Sequence, residues 1–298
     1  MKIDRRDFLT LAGLGGVVVV SGFGGGSTVS ASAAENDFFF VQFSDTHWGF
    51  ADPAINPDSM GTLRKAVEAV NSLKVQPDFI VFTGDLSHVT DDDNERRKRL
   101  SEFRNIVSQL KLKNLRFLPG EHDAGLDEGK AYKEYFGETY YTFDHKGVHF
   151  IVLDNVSDPT SNIGEVQLKW LSADLKKRNR NSRIVVFTHR PLYELYPDWD
   201  WYTRDGSKAI DLLSNYSKVA VFHGHVHQEL HRNAGHISYH AAKGLMYAFP
   251  PPGSVPKKTQ IPWDAKQPYK GLGFRSVNAK SRQADYPISE YSVQGEKL

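Results

Sequence analysis

The chain of 298 residues contains no cysteine. That absence excludes disulfides, thiolate metal ligands and a cysteine nucleophile, so any metal must be held through nitrogen and oxygen. An excess of one charge is also missing: 37 basic against 36 acidic residues give a formal charge of +1. Nucleic-acid-binding surfaces normally show a strong basic excess, so no nucleic-acid partner is expected. The short basic run from Arg96 to Arg99 follows Asp91, Asp92, Asp93 and Glu95. A solvated helix with acidic residues in its first turn accounts for it. Long apolar runs are absent as well. The stretch from Leu11 to Phe23 is short and rich in glycine, whereas a comfortable membrane span needs ~20 apolar residues. The glycines between 13 and 26 follow no strand, so they form no nucleotide cradle. No internal repeat is visible.

What is present begins with Arg5-Arg6, the weakly hydrophobic stretch, and Ala31-Ser32-Ala33. This order resembles a twin-arginine export signal. The resemblance implies a signal peptide over residues 1–33, the twin-arginine export machinery as a partner, and a periplasmic or secreted destination. Without those residues the chain keeps 34 basic and 34 acidic side chains, because Lys2, Arg5, Arg6, Asp4 and Asp7 leave with the signal.

Beyond the signal, strand and helix patterns alternate. Strands are predicted over 38–43, 79–82, 115–118, 184–187 and 219–222, with a hairpin of 140–143 and 148–153 turning at His145-Lys146-Gly147. Helical spacing appears over 62–73, 100–110 and 165–177. After Ala248 the prolines at 250, 251, 252, 256 and 262 mark a long irregular segment, with a last strand or two near 274–277. The expected organisation is a domain over 34–248 and a proline-rich extension over 249–298 packing on it. The expected class is α/β, a layered sheet sandwich flanked by helices.

The reactive residues stand just after the strands. Asp45-Thr46-His47 follows the first, Gly84-Asp85 the second and Gly120-Glu121-His122-Asp123 the third. His189 and Gly224-His225-Val226-His227 follow later strands. In open α/β sheets ligands bind beyond the carboxyl ends of the strands, so these residues should converge in one crevice. Single motifs of this kind mean little; five of them in order resemble the calcineurin-like metallophosphoesterase family, over residues 38 to about 245.

The resemblance implies roles position by position. Asp45, His47 and His227 would hold a first metal, His189 and His225 a second, and Asp85 would bridge them. Imidazole and carboxylate suit two divalent or mixed-valence ions of Mn, Fe or Zn. Such a pair can clamp a phosphate and activate a bridging hydroxide as nucleophile. His122 would be the general acid, with Asp123 orienting its imidazole and raising its pKa. The family normally has asparagine where this chain has Glu121. A glutamate ligand there would raise the carboxylates of the shell to three, tightening cation binding while lowering Lewis acidity. His88, three residues after Asp85, stands where the purple acid phosphatase branch places a tyrosine ligand, and is a further metal candidate.

Trp48, Trp199 and Trp201 are candidates for an aromatic substrate rim. Asp154-Asn155 reads as packing or a turn, and His145, His149, His231, His236 and His240 carry no assigned role. The expected function is hydrolysis of small-molecule phosphoesters, preferably diesters. Two alternatives are kept, a phosphomonoesterase and a noncatalytic metal- or ligand-binding protein on the same scaffold. A nuclease fits the neutral charge poorly.

Overall fold

The structure, a computed structural model, describes residues 36–298 except 282 and 284. The expected export signal therefore lies outside the described residues. Among those described, no helix is long and apolar enough to cross a membrane.

Strands β1 (Phe38–Phe43), β2 (Phe79–Thr83) and β3 (Leu115–Leu118) lie parallel in one five-stranded sheet. β4 (Tyr141–His145), β5 (Val148–Val152), β6 (Arg183–Phe187), β7 (Lys218–His223), β8 (Leu230–Ala234) and β9 (Ile237–Ala241) form a second sheet, ordered β4-β5-β6-β7-β9-β8. β10 (Phe274–Ala279) and β11 (Ile288–Tyr291) complete the first, ordered β11-β10-β1-β2-β3. β10 runs antiparallel to β1, pairing Phe38 with Ala279. The segment after Ala248 thus supplies two strands of the sheet.

The central strands of both sheets are buried on both faces, which is why they read as largely apolar runs. The inner faces meet in an aromatic layer, where Phe40 stacks on Phe79 at 4.9 Å and meets Phe187 and Phe222 edge-on at 5.6 Å. The outer face of the first sheet is covered by α1 (Thr62–Asn71) and α2 (Asp93–Val107). Two short helices follow β3, α3 (Glu121–Ala124) and α4 (Lys130–Phe136), and the latter buries Tyr132 in the same core. α5 (Glu165–Leu175) and α6 (Gly206–Leu213) cover the second sheet. The result is a four-layer α/β/β/α sandwich, as expected. α2 starts seven residues before the apolar spacing suggests, because Asp92 caps it by accepting from the Asn94 and Glu95 amides.

Candidate metal centre

The strand ends deliver the motifs to one edge. Asp45 and Asp85 stand two residues beyond β1 and β2, and His189 and His225 two beyond β6 and β7. The turns there are tight. Asp45, His47, Asp85, His225 and His227 all adopt positive φ, between 41° and 68°. Non-glycine residues rarely do so, and such strain is typical of functional sites. The β1 and β2 loops are laced together by the Asp45 amide donating to the Gly84 carbonyl and the His47 amide to the Asp85 carbonyl. Gly84 and Gly120 are needed for close approach: a Cβ would lie 2.4 Å from His189 Nδ1 at the first and 2.0 Å from Asp85 Oδ1 at the second.

Among the groups of donor atoms here that could hold a metal ion are two that share no member: Asp45, His47, Asp85 and His227, and Glu121, His189 and His225. Asp85 joins them. Its Oδ2 lies 3.4 Å from His47 Nε2 and 3.5 Å from His189 Nε2, while the His122 amide donates to its Oδ1 at 2.9 Å.

The outer hydrogen bonds fix which imidazole nitrogen faces inward. His189 Nδ1 and His227 Nδ1 each contact a backbone carbonyl at 2.7 Å, of Thr83 and Tyr247 respectively. A carbonyl only accepts, so both nitrogens carry hydrogen and both Nε2 atoms are the inward ones. His225 is reversed: its Nε2 meets the Asp200 carbonyl at 3.2 Å, leaving Nδ1 for Glu121 Oε1 at 2.8 Å. Glu121 Oε2 lies 2.8 Å from His189 Nε2. The loop around Asp200 is held by Arg190, whose guanidinium meets the Asp200 carboxylate at 2.6 Å and donates to the Tyr202 carbonyl.

The donors fit cations. His47 Nε2 and His227 Nε2 lie 3.2 Å apart, and His227 Nε2 is 3.2 Å from Asp45 Oδ1, so acceptors face acceptors in a buried pocket. His189 Nε2 and Glu121 Oε2, buried and 2.8 Å apart, have no hydrogen-bond partner beyond each other. Burial opposes ionisation of Glu121, yet His225 and His189 hold its carboxyl well below the usual range. Burial likewise opposes charging of His189, yet Asp85 and Glu121 push it well above the usual imidazole range. The His189 shift expresses the negative charge of Asp85 and Glu121, and the Glu121 shift the pull of the two imidazoles on an anion; a cation between these donors would take over that pairing. His47 goes the other way: burial, then the neighbouring His122 and His227, keep it neutral, the form that ligates.

His122 is placed beside these groups with its side chain one-fifth exposed and Nε2 3.9 Å from Asp85 Oδ2. The Val89 amide donates to its Nδ1 at 3.1 Å, so a neutral ring carries its proton on Nε2, facing the site.

Two expectations are corrected. Asp123 does not orient His122. Its buried carboxylate accepts from the Leu86, Ser87 and Gly120 amides and from Ser87 Oγ, tying the β2 loop to the β3 loop. Burial, then Asp85, push its pKa up to about 6, against the pull of those donors. Trp48, Trp199 and Trp201 form no rim, because all three are at most 4% exposed. Trp48 belongs to the core under α1 and donates to Glu102, while Trp199 and Trp201 pack at right angles among Phe50, Val226 and Met246. His88, the further metal candidate, is not contradicted: it meets His47 through Nδ1, at 3.4 Å, whereas His47 presents Nε2 to the first donor group. It stands behind His47, although His47, His88 and His122 also form a cluster of their own. Asp154 and Asn155 do serve a turn and packing: Asp154 accepts from the Val156 and Ser157 amides, and Asn155 bonds the Arg190 carbonyl and Thr203. Sequence reasoning missed Tyr247 and Arg190. The first sits in an apolar run with no signal; the second stands beside His189, but only burial reveals its use.

Known proteins agree with this arrangement. Residues 40–229 match the family described as calcineurin-like phosphoesterase. Mouse serine/threonine-protein phosphatase CPPED1 is 26% identical over 242 residues, covering 70% of this chain and 76% of that protein. The probable glycerophosphodiester phosphodiesterase GpdQ of Arcobacter nitrofigilis is 29% identical over 201 residues, covering 63% and 71%. The fold is shared with purple acid phosphatase PPD1 from yellow lupin, at TM-score 0.61 and 16% identity. That match covers 88% of this chain, which spans about half (52%) of the lupin protein. With motifs, donor groups and layered sheets in agreement, the chain belongs to the calcineurin-like phosphoesterase family, a family of metal-dependent phosphoester hydrolases.

Proposed function

We propose that the chain hydrolyses small-molecule phosphoesters, diesters in preference to monoesters, at a pair of metal ions. The observation that carries this reading is the position of Asp85 Oδ2, nearly equidistant from one histidine of each donor group. Asp45, His47 and His227 would hold one ion, Glu121, His189 and His225 the other, and Asp85 both. The ions, Mn, Fe or Zn, would supply Lewis acidity and an ionised water as nucleophile.

The residues of the chain do the rest. Asp85 is fixed by the His122 amide, so its free oxygen stays between the groups. The β1, β2 and β7 loops exclude water from the first group, whose members are buried. His122, whose Nε2 lies 3.9 Å from Asp85 Oδ2, would protonate the leaving oxygen. Asp45, Asp85 and Glu121 place three negative charges in the shell. Two divalent ions and one ionised water then sum to zero net charge, and a diester monoanion adds less negative charge to that centre than a monoester dianion.

The test is a substrate panel on metal-reconstituted protein, with and without His122→Ala. Loss of general-acid help should cost about 10²–10⁴-fold on diesters with alkyl leaving groups and far less on activated aryl esters. An equal loss on both would remove the general-acid role. A consistent monoester preference would return the phosphomonoesterase reading. Failure to cleave any phosphoester with Mn, Fe or Zn bound would leave the noncatalytic binding protein.

A further inference from the structure

Of the histidines in the two donor groups, His47, His189 and His227 turn Nε2 inward and only His225 turns Nδ1 inward. Which imidazole nitrogen can ligate is decided by what the other one bonds. Behind His189 that partner is the Thr83 carbonyl, at the last residue of β2. Behind His225 it is the Asp200 carbonyl, 3.2 Å from Nε2, and Asp200 belongs to a loop. It follows the single turn of helix Pro197–Trp199, adopts a positive φ of 59°, and leaves its side chain 55% exposed. Nothing in such a loop fixes its own carbonyl as a strand fixes Thr83.

Arg190 supplies the missing restraint. Its guanidinium contacts the Asp200 carboxylate at 2.6 Å and donates to the Tyr202 carbonyl at 2.9 Å. It also donates to the same Asp200 carbonyl that His225 meets. One carbonyl oxygen can serve both, because it has two lone pairs. The arginine backbone is held in turn by Asn155, just beyond β5: Asn155 Nδ2 donates to the Arg190 carbonyl at 2.9 Å, and the Arg190 amide donates to Asn155 Oδ1 at 3.3 Å. An arginine that clamped phosphate would present its fork to the crevice. The Arg190 side chain is 3% exposed and spends its fork on the loop instead.

We propose that Arg190 is a positioning residue for the second metal ion: it holds the Asp200 carbonyl against His225 Nε2 and so commits Nδ1 to the ion. The inference rests on the metal binding proposed above. Without the guanidinium the loop is released, and His225 loses the acceptor that fixes its tautomer and ring direction. His189 and His227 keep their own acceptors, the Thr83 and Tyr247 carbonyls, so the first ion should stay.

The experiment compares the zinc-loaded full chain with Arg190→Met, Arg190→Lys and Asp200→Asn. Metal retention is followed along a chelator titration. Imidazole nitrogen NMR, assigned with His225→Asn, reports which His225 nitrogen carries hydrogen. The wild type should show hydrogen on Nε2 and zinc on Nδ1. Arg190→Met should release the second zinc at roughly 10–100-fold lower chelator, keep the first, and lose the fixed His225 tautomer. Arg190→Lys restores the charge but not the planar fork, so it should fall between, and it carries the test if the Met variant does not fold. Asp200→Asn keeps the carbonyl and should lose least. Wild-type retention and His225 signals in the Arg190 variants, or equal loss of both ions, overturn the positioning role and leave the metal pair standing. Failure of the zinc-loaded wild type to hold a second ion would overturn both readings.

Discussion

The two donor groups differ in how the fold encloses them. Asp45, His47, Asp85 and His227 are each at most 2% exposed, and every one has a left-handed backbone set by interlocking loops. In the second group His189 and His225 are equally buried, but Glu121 is 31% exposed and sits at the start of a four-residue helix. The first group is thus built into the sheet edges, whereas the second is closed by one long side chain that turns its carboxylate inward and stays partly exposed along its length. A ligand on a short exposed element should give way sooner, since local opening draws on the least buried parts of a structure. The first ion would be the resident one and the second the exchangeable one.

The largest effect should come from removing what the groups share. Asp85→Ala is expected to lower retained metal from both groups and activity by at least about 10³-fold. Two ions retained per chain would show that the groups are independent. Glu121→Asn should separate them: second-group affinity falls about 100-fold with the loss of charge while the first ion stays. Metal analysis along a chelator titration checks this, and loss of both ions together would break the proposed asymmetry. The smallest effect belongs to His88→Ala. Freeing His47 Nδ1 should weaken first-group retention about tenfold, as changes behind a ligand do, and leave the second group alone. A change confined to the second group would contradict the placement of His88 behind His47.

The parts of the fold legible in the sequence were those whose signal is local. β1, β2, β6 and β7 are mostly apolar runs because these strands are covered on both faces. The donor residues stood out because His, Asp and Glu are the commonest ligands left in a chain without cysteine, and because each followed a strand. The β8 strand, Leu230–Ala234, was silent because it is an exposed edge with little apolar pattern. Asp123 misled for a different reason. A carboxylate beside a histidine suggests a pair, yet successive residues of a helix point about 100° apart. Asp123 therefore turns into the loop backbone while His122 faces the site.

The sequence by itself determined the sandwich class and the chemical identity of the donors. Strand pattern and ligand chemistry are both written residue by residue. Only the tertiary structure decided how those donors are shared, which nitrogen of each histidine faces inward, and that Tyr247 joins His47 although 200 positions separate them. It also buried the three tryptophans that the sequence offered as a rim. The physical reason is direction: a sequence names a side chain, but its hydrogen-bonded neighbours decide where its atoms point. The glutamate that departs from the family pattern shows this best, because its significance comes from lying 2.8 Å from both His189 and His225.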